Sequence, residues 1–471
     1  MARTIDKCPE LPLNVDPWVG HIKQELTVQV VTPMFGGGVE AGEPDPVTLI
    51  RASSIRGHLR FWWRATRGAT CNTIEKLKQR ETEIWGDTDS PSKVVIRVAI
   101  QPETYTKRKH EEDYGFQRYG PEAYALFSAK QNGKPLIKEG VSFSLALQWP
   151  MHKQLQIMRD KENANRKGNN KKLLDPIIND ITPDVTSALC YWLQYGGLGA
   201  RTRRGCGALQ LIVSKPQLMV CKLMESSIRV FLGKETGNAL QAWNESVHIY
   251  QDFRQSFRGA RHNKTSPNGT MRRNIPGRSH WPEPDSIRRL TDCALNRPGG
   301  PSSTSDDVDT HNHTKPIVPS DTIPAFPRAM LGLPIIFHFA DSPSKGRPAD
   351  RNLDPQDVEL VPEFPEIHDK DRTPIVGTRM ASPVITRPIF YNERWRPAII
   401  LLPRLSSLNA RLRGKLAKYH QGQSTYLDVA IPNDQIENHK LSVLRPMNGK
   451  DNAIDALISF VLGKEFQEVQ L

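Results

Sequence analysis

The chain has 471 residues, more than one hydrophobic core ordinarily serves, so at least two domains are expected. Hydrophobic residues make up 38% of the sequence, and no run of 18 apolar residues occurs, which excludes a transmembrane helix. Lysine and arginine number 64 against 51 aspartates and glutamates, a net charge of +13 that favours nucleic acid as a partner.

The first half of the chain predicts alternating strands and helices. Leu26, Val28 and Val30 alternate with polar residues, which is typical of a half-buried strand. The predicted elements are a strand at 25–33, a helix with Ser53 or Ser54 as its N-cap, strands at 94–100 and 141–149, a helix at 183–195 and a strand at 208–214. This order is the ferredoxin-like β-α-β-β-α-β plan. The polar segment 159–172 predicts a solvent-exposed insertion.

The second half predicts a more decorated domain. Helices are expected at 222–232 and 239–258, strands at 333–341, 380–390 and 396–403, and a late helix at 454–463. The segment 296–321 has the composition of a disordered linker. We therefore predict an α+β fold with a first domain at 1–215, a helical and basic connecting region at 216–295, a linker at 296–321 and the remainder of a second domain at 322–471.

An arginine stripe lies along one side of the predicted helix that begins near Ser53. The stripe consists of Arg56, Arg60, Arg64 and Arg67. At helical spacing these side chains fall within a sector of about 80°, next to the apolar sector that would face the core. Like charges repel, and no acidic residue stands along the helix where it would pair with them. The stripe favours contact with phosphates; the alternative is a solvated face whose arginine stems cover apolar surface.

A loop rich in glycine and arginine, GGLGARTRRGCG at 196–207, follows the second predicted helix. Glycine lets a backbone approach a ligand closely, and arginine presents a planar fork of donors to a phosphate. The loop lacks the lysine–serine pair of a P-loop and the third glycine of a dinucleotide fingerprint, and a purely structural turn would not call for three arginines. We predict that it grips a phosphate backbone through Gly196, Gly197, Gly199, Arg201, Arg203, Arg204 and Gly205.

Two downstream segments leave two interpretations open. Arg278, His280 and Trp281 could stack on a base and pair with a phosphate, or Trp281 could be a buried anchor with Arg278 paired to a neighbouring carboxylate. Arg379 and Arg387 flank a predicted strand and serve either nucleic acid or a domain interface, of which the interface is favoured.

No catalytic constellation stands out in the sequence, which contains no H-E-x-x-H motif, paired acidic motif or nucleophile elbow. His58 shares the arginine helix and could act as a general base in RNA cleavage, although a satisfied or solvent-facing histidine is the more frequent case. Asp45 is a lone loop carboxylate of the kind that is usually solvated. We predict no catalytic residue and no enzyme; a metal-independent endoribonuclease that uses His58 is the alternative.

The cysteines and termini point to an ordinary intracellular chain. None of the six cysteines forms a C-x-x-C pair, so no zinc ribbon or redox motif is supported, and no metal or cofactor is expected. The amino terminus lacks the apolar core of a signal peptide, and the carboxyl terminus offers no lipidation cysteine. We expect a cytoplasmic protein without a membrane partner.

Taken together, these motifs resemble a known family. A first strand ending in TPMFGGG, the helix SSIRGHLRFWWR and the loop GGLGARTRRGCG resemble the RAMP superfamily of CRISPR-associated RNA-binding proteins. The segments GRSHWPEPDSIRRL, FPRAMLGLPIIFHF and RMASPVITRP narrow the resemblance to the first-numbered RAMP subunit of type III-B (Cmr) effector complexes.

The resemblance implies two ferredoxin-like, RRM-related domains and a place at the end of an RNA-guided antiviral complex that holds the 3′ part of the guide RNA. Such a subunit contacts guide RNA and target RNA, with other RAMP subunits and the large subunit as partners, but does not cut RNA. Carried across by matching motif, Arg56, Arg60, Arg64 and the 196–207 loop become RNA contacts, as do Arg278 and Trp281. The expected function is non-catalytic binding of single-stranded RNA.

Overall fold

A computed structural model describes residues 18–45, 47–101, 104, 107–108, 121–126, 136–169, 173, 179–215, 228–255, 261–265, 271–291, 324–338, 357–368, 374–403, 407–417 and 424–470. In these ranges no helix is both long and apolar enough to cross a membrane. Nor does this part of the chain bring together three or more His, Cys, Asp or Glu residues that could hold a metal ion. The predicted linker at 296–321 lies outside the described residues.

The amino-terminal unit contains a four-stranded antiparallel sheet and its helices. Its elements are β1 (His21–Val30), β2 (Met34–Phe35), α1 (Ala52–Ala65), α2 (Ile74–Trp85), β3 (Val95–Ile100), β4 (Lys107–Arg108), α3 (Pro121–Ala125), β5 (Leu136–Ile137), β6 (Ser142–Pro150), α4 (His152–Gly168), α5 (Thr182–Tyr195) and β7 (Leu209–Lys215). The sheet runs β3-β6-β1-β7 in space, and β2, β5 and β4 form a separate three-stranded sheet. The main sheet and α1 and α5 follow one another along the chain in the predicted order of strands and helices.

Alternation and helical periodicity explain how these elements pack. In β1, Leu26 and Val28 are buried while the residues between them are more exposed. Helix α1 buries Ile55, Leu59, Trp62 and Trp63 in the core of the unit, as its spacing predicts. The helix begins at Ala52, and the residue before it makes no side-chain capping hydrogen bond, so neither predicted serine caps it.

The described residues of the carboxyl-terminal unit form three sheets and their helices. Its elements are β8 (Arg229–Leu232), α6 (Ala239–Gln255), β9 (Arg261–Thr265), β10 (Met271–Ser279), α7 (Glu283–Leu290), β11 (Ile335–Phe337), β12 (Val358–His368), β13 (Pro374–Val376), β14 (Val384–Tyr391), β15 (Arg394–Leu401), β16 (Asn409–Ala417), β17 (Ser424–Ile431), α8 (Ala453–Leu462) and β18 (Gln467–Val469). One sheet runs β14-β15-β8-β18, a second runs β11-β12-β16-β17 with β13 on β12, and β9 pairs with β10.

The four-stranded sheet of this unit repeats the order of the first one. Along the chain it is formed by β8, α6, β14, β15, α8 and β18, again strand, helix, two strands, helix and strand. In both sheets the second, third, first and fourth of these strands lie side by side, and every pairing is antiparallel. The five-stranded sheet is an elaboration of this second unit, since its strands come between α6 and β14 and between β15 and α8.

Apolar alternation in the second sheet joins the two units. Val230 and Ile400 belong to the core of the first unit, whereas Phe231 and Ile399 belong to the core of the second. A sheet buried on both faces needs strands that are apolar throughout, which explains the continuous apolar run at 397–403.

One prediction about an element is wrong. The segment 222–232 is predicted to be helical, but Arg229–Leu232 is the strand β8, because its side chains alternate between the two cores with a period of two. The polar segment predicted to be solvent-exposed, 159–172, is helical up to Gly168 as the end of α4, and its described residues are exposed or half-exposed. The domain boundaries stay a prediction.

Candidate nucleic-acid interface

The arginine stripe of α1 meets a carboxylate from the neighbouring helix α2. Arg60 Nε donates to Glu81 Oε1 over 2.6 Å, and Arg64 Nε donates to Glu81 Oε2 over 2.7 Å. Burial raises the pKa of Glu81, but the hydrogen bonds and charges of Arg64 and Arg60 outweigh that effect and hold the pKa below its usual value. Two guanidiniums therefore share one negative charge, and Arg64 keeps 53% of its side chain exposed.

A second carboxylate, Asp184 at the start of α5, holds the end of the stripe. It accepts hydrogen bonds from Trp63 Nε1 at 2.8 Å and from Arg80 Nη2 at 2.7 Å, and Arg67 Nε lies 3.4 Å away. As the sequence indicates, no acidic residue of α1 itself pairs with the stripe, but Glu81 of α2 and Asp184 of α5 supply partners from other helices. Arg67 is fixed within the unit by this network.

Arg56, at the start of the stripe, is half-buried and differs from the others. Its buried Nε has no hydrogen-bond partner in the described part of the chain. A guanidinium nitrogen that is removed from water without a partner costs free energy. The Arg56 guanidinium therefore has donor capacity left for an acceptor such as a phosphate oxygen.

The glycine–arginine loop is built for close packing of backbones. Gly199 has φ +80°, and a Cβ there would lie 2.5 Å from the carbonyl oxygen of Phe35. Gly205 has φ +76°, and a Cβ there would lie 2.5 Å from the carbonyl oxygen of Thr386 in the second unit. Only glycine combines these backbone angles with such contacts. A Cβ at Gly196 or Gly197 would also meet atoms of the protein within 3 Å, so these glycines face the protein and not an open groove.

The three loop arginines turn toward the protein. Arg201 Nη1 donates to the carbonyl of Ala125 over 3.1 Å. Arg203 Nη1 donates to the carbonyl of Ser382 in the second unit, and its guanidinium lies 5.3 Å above the ring of Phe61.

Arg204 is placed between two tyrosines of other elements. Its guanidinium carbon lies 4.6 Å from the ring centroid of Tyr250 and 5.2 Å from that of Tyr124. The argument that a structural turn would not need three arginines is therefore wrong, because these arginines connect the loop to α3, α1 and the second unit. Their role as RNA contacts stays a prediction, which Arg203 fits best.

An apolar cleft of about 400 Å³ opens beside Arg203, between α1 and the second unit. Phe61, Arg64 and Arg203 line it from the first unit. The opposite wall is apolar and comes from separate places in the second unit: Met330, Met380, Ala381, Pro383, Leu402, Pro403 and Leu408. Sequence reasoning did not find this wall, since its residues are far apart along the chain and carry no motif.

His58 lies beside α5 and not on an open face. Its ring is stacked on Trp192 with centroids 6.4 Å apart and an interplanar angle of 17°. Burial lowers the pKa of His58 to about 4, so the imidazole is neutral near pH 7. It lines a cavity of about 130 Å³ with Arg203 and the loop backbone.

Asp45 has a local structural role. Its Oδ1 accepts hydrogen bonds from the backbone N–H of Thr48 at 2.8 Å and of Val47 at 3.0 Å, and these bonds lower its pKa. This is the turn chemistry that aspartate commonly performs.

The interpretation of Trp281 as an exposed stacking platform is wrong. The side chain is 2% exposed and packs edge-on against Phe253 with ring centroids 5.3 Å apart. The carboxylate of nearby Glu283 is bound by Arg328, over 3.0 Å. Apolar burial therefore holds Trp281 in the second core, while the side chain of Arg278 lies outside the described residues.

Arg387 confirms the domain-interface interpretation. It is 2% exposed on β14, and it donates to the carbonyls of Gly196 at 2.6 Å and Leu209 at 3.0 Å, at the two ends of the first unit's loop. Its Nε donates to the carbonyl of Pro388. Arg379, by contrast, is exposed.

Comparison with known proteins was made by sequence and by structure. Residues 27–210 match the family model described as the RAMP superfamily. The CRISPR system Cmr subunit Cmr1-2 of Pyrococcus furiosus is 33% identical over 75 residues, 16% of this chain and 38% of that protein. Cmr1-1 of the same organism is 22% identical over 176 residues, 36% of this chain and 43% of that protein. Each match spans less than half the length of the relative.

Two solved structures align with this chain at low similarity. The crystal structure of Cmr1 from Pyrococcus furiosus, in the apo form, aligns over 95% of this chain and 98% of that chain with 12% identity and a TM-score of 0.42. A chain of the type III-B Cmr-beta complex bound to cognate target RNA aligns over 41% of this chain and 54% of that chain, with 17% identity and a TM-score of 0.26.

Proposed function

We propose that this protein is an RNA-binding subunit of a type III-B CRISPR effector complex and holds RNA without cutting it, since its residues 27–210 match the RAMP superfamily model. The observation that carries the proposal is the positive charge on the first-unit wall of the cleft. Arg60 and Arg64 share one carboxylate, and Arg203 contacts none in the described ranges. Such a surface attracts a phosphate backbone.

Both units are proposed to be ferredoxin-like, RRM-related domains. The strand order of the two four-stranded sheets and the alternation of strands and helices support this proposal. The RNA contacts would come from Arg56, Arg60, Arg64 and Arg203, while Arg201 and Arg204 position the loop that presents Arg203. The similarity to Cmr subunits supports guide RNA, target RNA and the other subunits of the complex as partners.

The salt dependence of RNA binding tests the electrostatic mechanism. If three or four guanidiniums each meet a phosphate of single-stranded RNA, log K should fall against log[salt] with a slope of roughly −2 to −3. Replacing Arg64 with alanine should flatten the slope by about 0.7 and weaken binding of all sequences alike. Arg394→Ala is the matched control, since Arg394 is 69% exposed and does not line the cleft. A slope near zero for the wild type would refute the proposal.

The same binding samples, run on a denaturing gel, test the absence of cutting. Intact RNA is expected, because a buried, stacked imidazole with a pKa of about 4 is a weak general base near pH 7. A discrete product that disappears in His58→Ala would establish the alternative, a metal-independent endoribonuclease.

The place in the complex has its own test. The complex is assembled from this chain, the other Cmr subunits and a guide RNA that carries one photo-crosslinkable base, placed at the 3′ end in one sample and at the 5′ end in another. Crosslinks to this chain should form with the 3′-labelled guide. Crosslinks from the 5′ end alone would contradict the proposed position.

A further inference from the structure

The cleft between the units has two chemically different walls. The first-unit side presents the ring of Phe61 and the guanidiniums of Arg64 and Arg203. The second-unit side presents thioether and aliphatic groups such as Met330, which is 7% exposed, and Met380. Among the described residues that line the cleft, arginine is the only charged type and no carboxylate is present.

This combination fits a flat, uncharged group that is joined to an anion. The faces of a nucleobase bind favourably to aromatic, thioether and aliphatic surfaces, and its attached phosphate binds a guanidinium. A volume of about 400 Å³ lies in the range of small-ligand pockets. An apolar peptide segment would bury against Met330 and its neighbours but would leave the Arg203 guanidinium without an anion.

We propose that the cleft takes up one unpaired nucleobase of the bound RNA strand, turned out of its stack, with its flanking phosphates on Arg64 and Arg203. The inference rests on the proposed RNA-binding function and adds a base-binding subsite to it. Because no side-chain amide or carboxylate that would read a base edge stands among the described lining residues, we expect the subsite to accept any of the four bases.

The first test compares two strands with the same backbone. One is an oligouridylate of about twelve nucleotides, and the other has the same phosphates but tetrahydrofuran spacers in place of the bases. The wild-type protein should bind the oligouridylate about tenfold more tightly, since stacking of one base has that magnitude. Both strands should show the same dependence on salt.

A pair of substitutions that fill the cleft locates the effect. Ala69 and Ala381 line the cleft and are exposed, so Ala69→Leu with Ala381→Leu narrows it without opening a cavity in the core. The double variant should bind the oligouridylate as weakly as the spacer strand and leave the spacer affinity and the salt slope unchanged. Ala164→Leu, on the exposed surface of α4, is the control and should change neither affinity.

A fluorescent base provides a readout that needs no variant. A single 2-aminopurine is moved along a mixed-sequence strand and read on binding to the wild type. At the one position where the base leaves the stack of its neighbours, the fluorescence of 2-aminopurine should increase. No change at any position would overturn the base subsite.

The outcomes separate the two proposals. Equal, salt-dependent binding of both strands overturns the base subsite and leaves the proposed function in place. If neither strand binds, both proposals are overturned. A tenfold preference that survives in a folded double variant places the base elsewhere and also overturns the inference.

Discussion

Replacing Arg387 with methionine should destabilise both units at once. The arginine is buried, burial lowers its pKa, and its guanidinium bridges carbonyl oxygens at the two ends of the 196–207 loop. The substitution leaves the carbonyls of Gly196 and Leu209 without donors, and each unsatisfied buried group costs about 1–3 kcal/mol. The buried charge also disappears, which returns part of its desolvation cost. The expected net loss is about 3 kcal/mol of unfolding free energy.

Urea unfolding followed by tryptophan fluorescence measures this loss. Both units contain buried tryptophans, including Trp192 in the first and Trp243 in the second, so the signal reports on both. Arg396→Met is the control, because Arg396 donates to a single carbonyl, that of Gly233, within the second unit. It should cost about 1 kcal/mol. A loss below 1 kcal/mol for Arg387→Met, or a shift confined to one unit, would refute the bridging role.

Three further predictions concern single side chains. The pKa of His58 is about 4 in the folded chain and near 6.5 when unfolded, so the unfolded state binds more protons between these values. Stability should fall by about 2 kcal/mol from pH 7 to pH 5, a loss that urea titrations of His58→Gln should not show. Glu81→Gln removes the negative charge that Arg60 and Arg64 share, so RNA binding should tighten about two- to fivefold at low salt. The free energy of unfolding should fall by about 1–2 kcal/mol. Fluorescence anisotropy measures the binding, and weaker binding would contradict this prediction. Gly199→Ala should lower the free energy of unfolding by at least about 2 kcal/mol, because of its positive φ and the nearby Phe35 carbonyl. Gly57→Ala is the control, where a Cβ meets nothing within 4 Å, and it should raise that free energy by about 0.5–1 kcal/mol. Equal shifts in melting temperature would refute the steric argument.

The elements of the first unit follow from local pattern. The apolar spacing of α1 and the alternation in β1 each specify one buried face, and the structure places those faces in the core. Local pattern failed at β8, because the two faces of that strand are buried against different units and residues 230–232 are an uninterrupted apolar run. A short apolar run looks alike in a helix and in such a strand.

For the arginines too, the sequence identified the charged pattern, whereas their partners depend on tertiary packing. Composition and spacing identified Arg56, Arg60 and Arg64 as a cationic stripe, since charge and helical period are properties of the sequence alone. The partner of that stripe, Glu81, is on another helix, and packing of α2 on α1 brings it within hydrogen-bond distance. The burial of Trp281 is likewise decided by Phe253 and the second core, to which its own segment gives no clue.

The sequence by itself determined the residue types, the periods of the helices and strands and the excess of positive charge, because these depend on near neighbours and on composition. Only the tertiary structure decided which charges remain available. It turned Arg201 and Arg204 inward, gave Arg387 to the interface, and brought Met330 and Met380 opposite Phe61 to form the cleft. Contacts between residues far apart in the chain depend on the packing of whole elements, which no short stretch of sequence specifies.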